Sequence, residues 1–152
     1  MRVLAVDPGL MTGLAFWARY DDGTEGMNAY ELPWFEAMDE ITTIIWDANS
    51  RGKPLTGVVS ERFDISGNTY KKGKKDLYEP LHGIGVVKWA CYRANVPFTL
   101  QAPGDAMKLV SNDVLKTLGW YTRGKEHGRD ATRHLVKYLV DQRLIDARRL
   151  IG

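Results

Sequence analysis

The sequence predicts an α/β domain in which helices cover a mixed sheet, and three observations carry that expectation. The chain opens with short apolar runs separated by turn residues, which read as a three-strand antiparallel meander. Helical and strand patterns then alternate, the arrangement that adds parallel strands to an existing sheet. A helical stretch closes the chain.

Val3, Leu4, Ala5 and Val6 form an apolar run that drives into Asp7 and stops at Pro8-Gly9. That pattern is a buried strand ending in a carboxylate, followed by a turn. Residues 14–20 read as the returning strand, Asp21-Asp22-Gly23-Thr24 as a turn, and residues 27–32 as the third strand. After Pro33, the apolar positions Trp34, Phe35, Met38, Ile41, Ile44, Ile45 and Ala48 follow helical spacing, and Gly52 and Pro54 supply the stop. Val58-Val59-Ser60-Glu61 is another short strand closing on a carboxylate. Residues 64–76 carry Gly67, Gly73 and lysines and read as a mobile loop. Residues 77–94 fit a second long helix, whose Gly83 and Gly85 cost helix propensity but suit close packing. Residues 96–100 fit a strand ahead of Gln101-Ala102-Pro103-Gly104, and short helical pieces fit 105–109 and 112–118. The last helix is expected to begin near Arg129 and to run through Leu135, Val136, Leu139, Val140 and Leu144. With no repeat and no interior linker, residues 1–152 are expected to form one domain.

Composition narrows the function classes. An apolar share of 44% and a charged share of 26% are ordinary for a soluble globular protein. No apolar run approaches the roughly 20 residues needed to cross a bilayer, and the N-terminus does not read as a signal peptide. The single cysteine, Cys91, excludes an internal disulfide and a Cys-rich zinc site, and its apolar setting suits a small core residue. A cytoplasmic protein is expected. The net charge of +2 is uninformative, but its distribution is not. Lys71, Lys72, Lys74 and Lys75 form one basic cluster, and Arg123, Lys125, Arg129 and Arg133 another. Such clusters suit a polyanion or a solvated face.

Three separated segments place acids at element ends: Asp7, Glu61, and Asp130 in Glu126-His127-Gly128-Arg129-Asp130-Ala131-Thr132-Arg133-His134. A charge where a core strand emerges is costly unless compensated, and hard divalent cations take oxygen ligands. Each acid also has a bland reading. Asp7 suits a turn before Pro-Gly, and Asp130 near a helix start complements the dipole. His134 reads as a surface or satisfied helix histidine. If Asp7, Glu61 and Asp130 converge, their repulsion raises at least one pKa unless cations are present. Two Mg²⁺ or Mn²⁺ ions in such a pocket hydrolyse phosphodiesters by in-line attack. His127 fits as a further ligand or as the group orienting water, and imidazole tolerates Mn²⁺ better than Mg²⁺.

Asp7-Pro8-Gly9 with Gly13, Val58-Val59-Ser60-Glu61 and His127-Gly128-Arg129-Asp130-Ala131, in this order, resemble RuvC-type Holliday junction resolvases of the RNase H-like (retroviral-integrase) superfamily. The likeness is a pattern of spaced motifs spanning nearly the whole chain, and its compactness looks like the phage-encoded branch, which implies a host cytoplasm. The resemblance implies a five-stranded mixed sheet of order 3-2-1-4-5, a homodimer, and symmetric nicking of four-way DNA junctions with Mg²⁺ or Mn²⁺. By motif, Asp7 bridges the metals, Glu61 is the ligand from the later strand, and Asp130 is the helix ligand. His127 stands where many relatives have Asp and some His, which puts the metal preference in question. Phe63 holds the place of an aromatic wedge entering the junction, or simply covers the sheet edge. Lys71, Lys72, Lys74 and Lys75 would contact phosphates, as would Lys108 and Lys116. The helix over 77–94 would form the dimer contact.

Two rivals share the fold: an RNase H-like nuclease for flaps, forks or RNA, and a branched-DNA binder without catalysis. An actin-like or sugar-kinase phosphate-binding domain is disfavoured, because the chain is short for two lobes and lacks a second glycine-rich phosphate loop.

Overall fold

The computed structural model describes residues 1–63 and 75–151. Lys71, Lys72 and Lys74, with Gly67 and Gly73 in the expected loop, lie outside the described residues. The elements run β1 (Arg2–Asp7), β2 (Met11–Arg19), β3 (Glu25–Pro33), α1 (Trp34–Ser50), β4 (Gly57–Glu61), α2 (Lys75–Ala94), β5 (Phe98–Gln101), α3 (Pro103–Leu109), α4 (Asn112–Thr117) and α5 (Glu126–Asp141), with a final 3-10 turn at Ala147–Leu150.

The five strands form one sheet of order β3-β2-β1-β4-β5, as expected. β1, β2 and β3 pair antiparallel, whereas β4 and β5 are added parallel to β1. Because side chains alternate across a strand, β1 serves two cores. Val3 and Ala5 join Ala15, Trp17 and Val59 under α5, packing against Ala131, Leu135, Val136 and Leu139. Leu4 and Val6 face the other way with Leu14 and Val58, against Ile41 and Ile45 of α1 and Val87, Ala90 and Cys91 of α2. Cys91 is fully buried, and burial pushes its thiol up to about 12, so it is packing material.

Several boundaries differ from expectation. β2 starts at Met11, three residues early, because pairing of Met11 with Pro33 and Thr12 with Leu32 extends the meander. α2 already includes Lys75. β5 starts only at Phe98, because Asn95 turns the chain with a left-handed φ of 54° and Val96 still bonds back to Cys91. Gln101 is therefore a strand residue, not part of the following turn. α3 begins at Pro103, where a proline suits the first helical turn. α5 begins at Glu126 instead of Arg129 and stops at Asp141, three residues short of Leu144, with Arg143 left-handed at φ 55°. Among the described residues, no helix is long and apolar enough to cross a membrane.

Candidate active site

The alternation that builds the two cores also aims the functional groups. On β1, Asp7 continues the Val3-Ala5 side and so faces α5. On β4, Glu61 continues the Val59 side toward the same helix. β1 and β4 run in register up to Val6 opposite Ser60, and β4 and β5 up to Glu61 opposite Gln101. Asp7, Glu61 and Gln101 thus stand in a row at the ends of three adjacent parallel strands. α5 crosses above them, and residues three, four and seven apart on a helix share a face. His127, Asp130 and His134 lie on that face.

Gly13 makes the crossing possible. It pairs with Asp7 across the β1–β2 hairpin, and the backbone of α5 lies directly on it. A Cβ built at Gly13 falls 1.9 Å from the His127 carbonyl oxygen. Gly128 has a related role: its Cβ position is 3.2 Å from the Tyr30 carbonyl oxygen. Read from sequence, Gly128 looks like a helix breaker, but here it is the small residue that lets the first turn of α5 sit on the meander.

The result is a cleft of about 240 Å³ lined by Asp7, Glu61, His127, Asp130, Arg133 and His134, with α3 contributing the opposite lip through Pro103, Ala106 and Met107. Every acid in it has one partner from α5. His127 Nδ1 lies 3.0 Å from Asp7 Oδ2, and His134 Nε2 lies 2.8 Å from Glu61 Oε2. Arg133 donates to Asp130 and is anchored by Val110 O at 3.2 Å and Asn112 Oδ1 at 2.6 Å. Asp7 is only 8% exposed, and burial pushes its carboxyl above the ordinary value. The His127 hydrogen bond pulls it back, while the charges of Glu61 and Asp130 push it further up. His127 is raised above its ordinary value chiefly by the bond to Asp7, with burial opposing. Like charges crowding one buried carboxylate are what a divalent cation relieves, and three carboxylates with an imidazole are a donor set suited to Mg²⁺ or Mn²⁺. In the present arrangement the α5 partners provide the compensation, and no three His, Cys, Asp or Glu side chains among the described residues form a ready-made cluster for an ion.

The remaining expected residues are placed less centrally. Phe63 is half-buried just beyond β4. Lys75 is the first residue of α2. Lys108 is exposed near the end of α3, whereas Lys116 on α4 pairs with Asp113 at 2.9 Å and lies over the Tyr121 ring at 5.6 Å. Arg133 is a correction to the basic cluster read from sequence: its side chain is 11% exposed, and it holds Asp130 instead of facing solvent. Arg129 likewise donates to the Thr122 carbonyl at 3.0 Å and stacks on Tyr121. Gln101 and Arg133 escaped sequence reasoning as site residues. The signal available for Gln101 was strand parity, which required knowing that β5 extends through it.

Two solved structures match this architecture over nearly its whole length. Thermus thermophilus RuvC in complex with a Holliday junction substrate superimposes with a TM-score of 0.68 at 18% identity, covering 95% of this chain and 96% of that one. The fold is that of RuvC. RuvC from the same organism in a second structure gives a TM-score of 0.63 at 19% identity, again over 95% and 96% of the two chains. At these identities the likeness to RuvC is one of fold. No family model matches the sequence, and no curated protein matches it.

Proposed function

We propose that this chain is a metal-dependent endonuclease that resolves four-way DNA junctions, with Asp7, Glu61, His127 and Asp130 as the metal-holding residues. The observation that carries the reading is the convergence of acids from β1, β4 and α5 on one cleft, in a chain with the RuvC fold. When bound, one or two Mg²⁺ or Mn²⁺ ions supply a nucleophilic water and stabilise the charge on the departing oxygen. Asp7, Glu61 and Asp130 would hold the ions, and His127, which already meets the Asp7 carboxylate from α5, would join them. Arg133 fixes Asp130 in place. Lys108 on α3 and Lys116 on α4, with Lys71, Lys72, Lys74 and Lys75, contact phosphates, and Phe63, just beyond β4, enters between base steps.

Junction resolution needs paired cuts, so the working unit is a homodimer. α2 supports that reading by presenting Leu81, Trp89 and Tyr92 to solvent, beside Trp46 of α1.

The test is cleavage of a synthetic four-way junction beside fork, flap and RNA–DNA hybrid substrates, with and without Mg²⁺ or Mn²⁺. Symmetric, ion-dependent nicks in the junction are expected. Preferential cutting of the RNA strand would reassign the substrate, and junction binding without ion-dependent cleavage would make the protein a non-catalytic binder.

A further inference from the structure

The nuclease reading leaves His134 without a task, yet its setting is unusual. Its ring is 1% exposed, in a helix whose neighbouring buried positions, Ala131, Leu135 and Tyr138, pack in the core under the sheet. Burying an imidazole there costs free energy unless both nitrogens are bonded. Both have a partner. Nε2 faces the Glu61 carboxylate at 2.8 Å, and Nδ1 stands 2.9 Å from the end of the Gln101 side chain, whose amide donates to it with its NH2 turned toward the ring. A carboxylate only accepts, so Nε2 carries the hydrogen and donates it to Glu61. Gln101 is itself 6% exposed and stands opposite Glu61 in the β4–β5 register. The Arg62 backbone N–H donates to the Gln101 carbonyl at 2.7 Å, closing the same strand ends together.

A histidine needed only for packing could be replaced by a leucine of similar volume. This one instead ties one oxygen of a cleft-lining carboxylate to the adjacent strand. The Glu61 side chain is 25% exposed and sits at a strand end, so that bond restricts which way it points.

We propose that His134, braced by Gln101, is a positioning residue that aims the Glu61 carboxylate into the cleft for a divalent cation. The inference rests on the nuclease reading above and deepens it. Groups that hydrogen-bond a metal-holding side chain set its orientation, and their loss typically costs about 10–100-fold in metal affinity or activity.

The experiment measures Mn²⁺ binding to the metal-free full chain by calorimetry, without DNA, together with cleavage of a four-way junction across Mn²⁺ concentration. Thermal melting is run in parallel to establish folding. His134→Leu removes the donor, His134→Gln keeps an N–H near the place of Nε2, and Gln101→Leu removes the brace. His134→Leu is expected to weaken Mn²⁺ binding about 10–100-fold and to shift the metal dependence of cleavage by the same factor. His134→Gln is expected to recover most of that loss, and Gln101→Leu to show a smaller shift in the same direction. A folded His134→Leu protein that binds Mn²⁺ like wild type overturns the proposal, as does a His134→Gln protein no better than His134→Leu. Should His134→Leu fail to fold, unchanged Mn²⁺ affinity in Gln101→Leu overturns it equally. Failure of the wild-type chain to bind Mn²⁺ overturns the nuclease reading itself, a result distinct from wild-type binding with unaffected variants.

Discussion

Replacing Gly13 by alanine inserts one methyl group where the α5 backbone already lies. The added carbon would sit 1.9 Å from the His127 carbonyl oxygen, 2.2 Å from its carbon and 2.9 Å from the Gly128 nitrogen, all main-chain atoms without a rotamer to change. Ordinary contact begins near 3.4 Å, so the start of α5 must lift from β2 by about 1.5 Å. Overpacking of this kind costs typically 1–3 kcal/mol, and rigid backbone on both sides places Gly13→Ala at or above the upper end. The displaced turn carries His127 and, one turn on, Asp130, so the geometry opposite Asp7 is lost with it. A misplacement of about 1 Å at a reacting centre can cost roughly 100-fold in rate. Gly85→Ala is the matched control for unfolding alone, because it lies within α2 with nothing within 4 Å of its Cβ position but shares a helix face with Leu81 and Trp89 of the proposed dimer contact. That change should be neutral or stabilising by up to about 1 kcal/mol. Denaturant unfolding of both variants, with junction cleavage measured on Gly13→Ala if it folds, checks the difference. Gly13→Ala unfolding within 1 kcal/mol of wild type and cutting at the wild-type rate would refute the close-approach reasoning.

Two further outcomes follow from the site and its surroundings. His127 is raised above its ordinary value of 6.5 by the bond to Asp7, so where Asp7 is ionised its contribution to stability is present below that pH and fades as pH rises through the folded-state value. Melting of the metal-free protein from about pH 6 to about pH 9 should show this fall, and His127→Asn should flatten it; an equal slope in both proteins refutes the assignment. On the short helices, Lys108→Ala in an Asp7→Asn background should reduce the salt slope of junction binding by about 1, and Lys116→Ala by less, because Asp113 and Tyr121 already engage Lys116. Titration of binding against salt decides it, an unchanged slope for Lys108→Ala being the contrary result.

The meander, the alternation that adds parallel strands and the helices that cover the sheet were legible because the physics is local, whereas the strand order came only from the resemblance to RuvC-type resolvases. Val3 to Val6 and Val58 to Ser60 read as buried strands, and the meander needs only turn residues between its runs. The direction of Asp7 and Glu61 toward one helix was also accessible, since each shares strand parity with the apolar residues two before it. The start of α5 was not. Gly128 carries the ordinary mark of a helix break, and its compatibility with the first turn depends on Tyr30, nearly one hundred residues earlier in the chain. Gln101 and His134 were hidden for a similar reason: their meaning lies in a register between β4 and β5 that no local pattern encodes. Arg133 counted as surface charge until Asp130, Val110 and Asn112 were seen to claim its guanidinium.

The central claim is that Asp7, Glu61 and Asp130 together hold divalent ions against a DNA backbone. Its most direct measurement is single-turnover cleavage of a synthetic four-way junction by wild type and Asp7→Asn across Mg²⁺ and Mn²⁺ concentrations, with junction affinity measured on the same preparations. The account predicts that Asp7→Asn binds the junction at least as tightly as wild type and does not cut it at any ion concentration. Cutting by Asp7→Asn at a rate near that of wild type would contradict it.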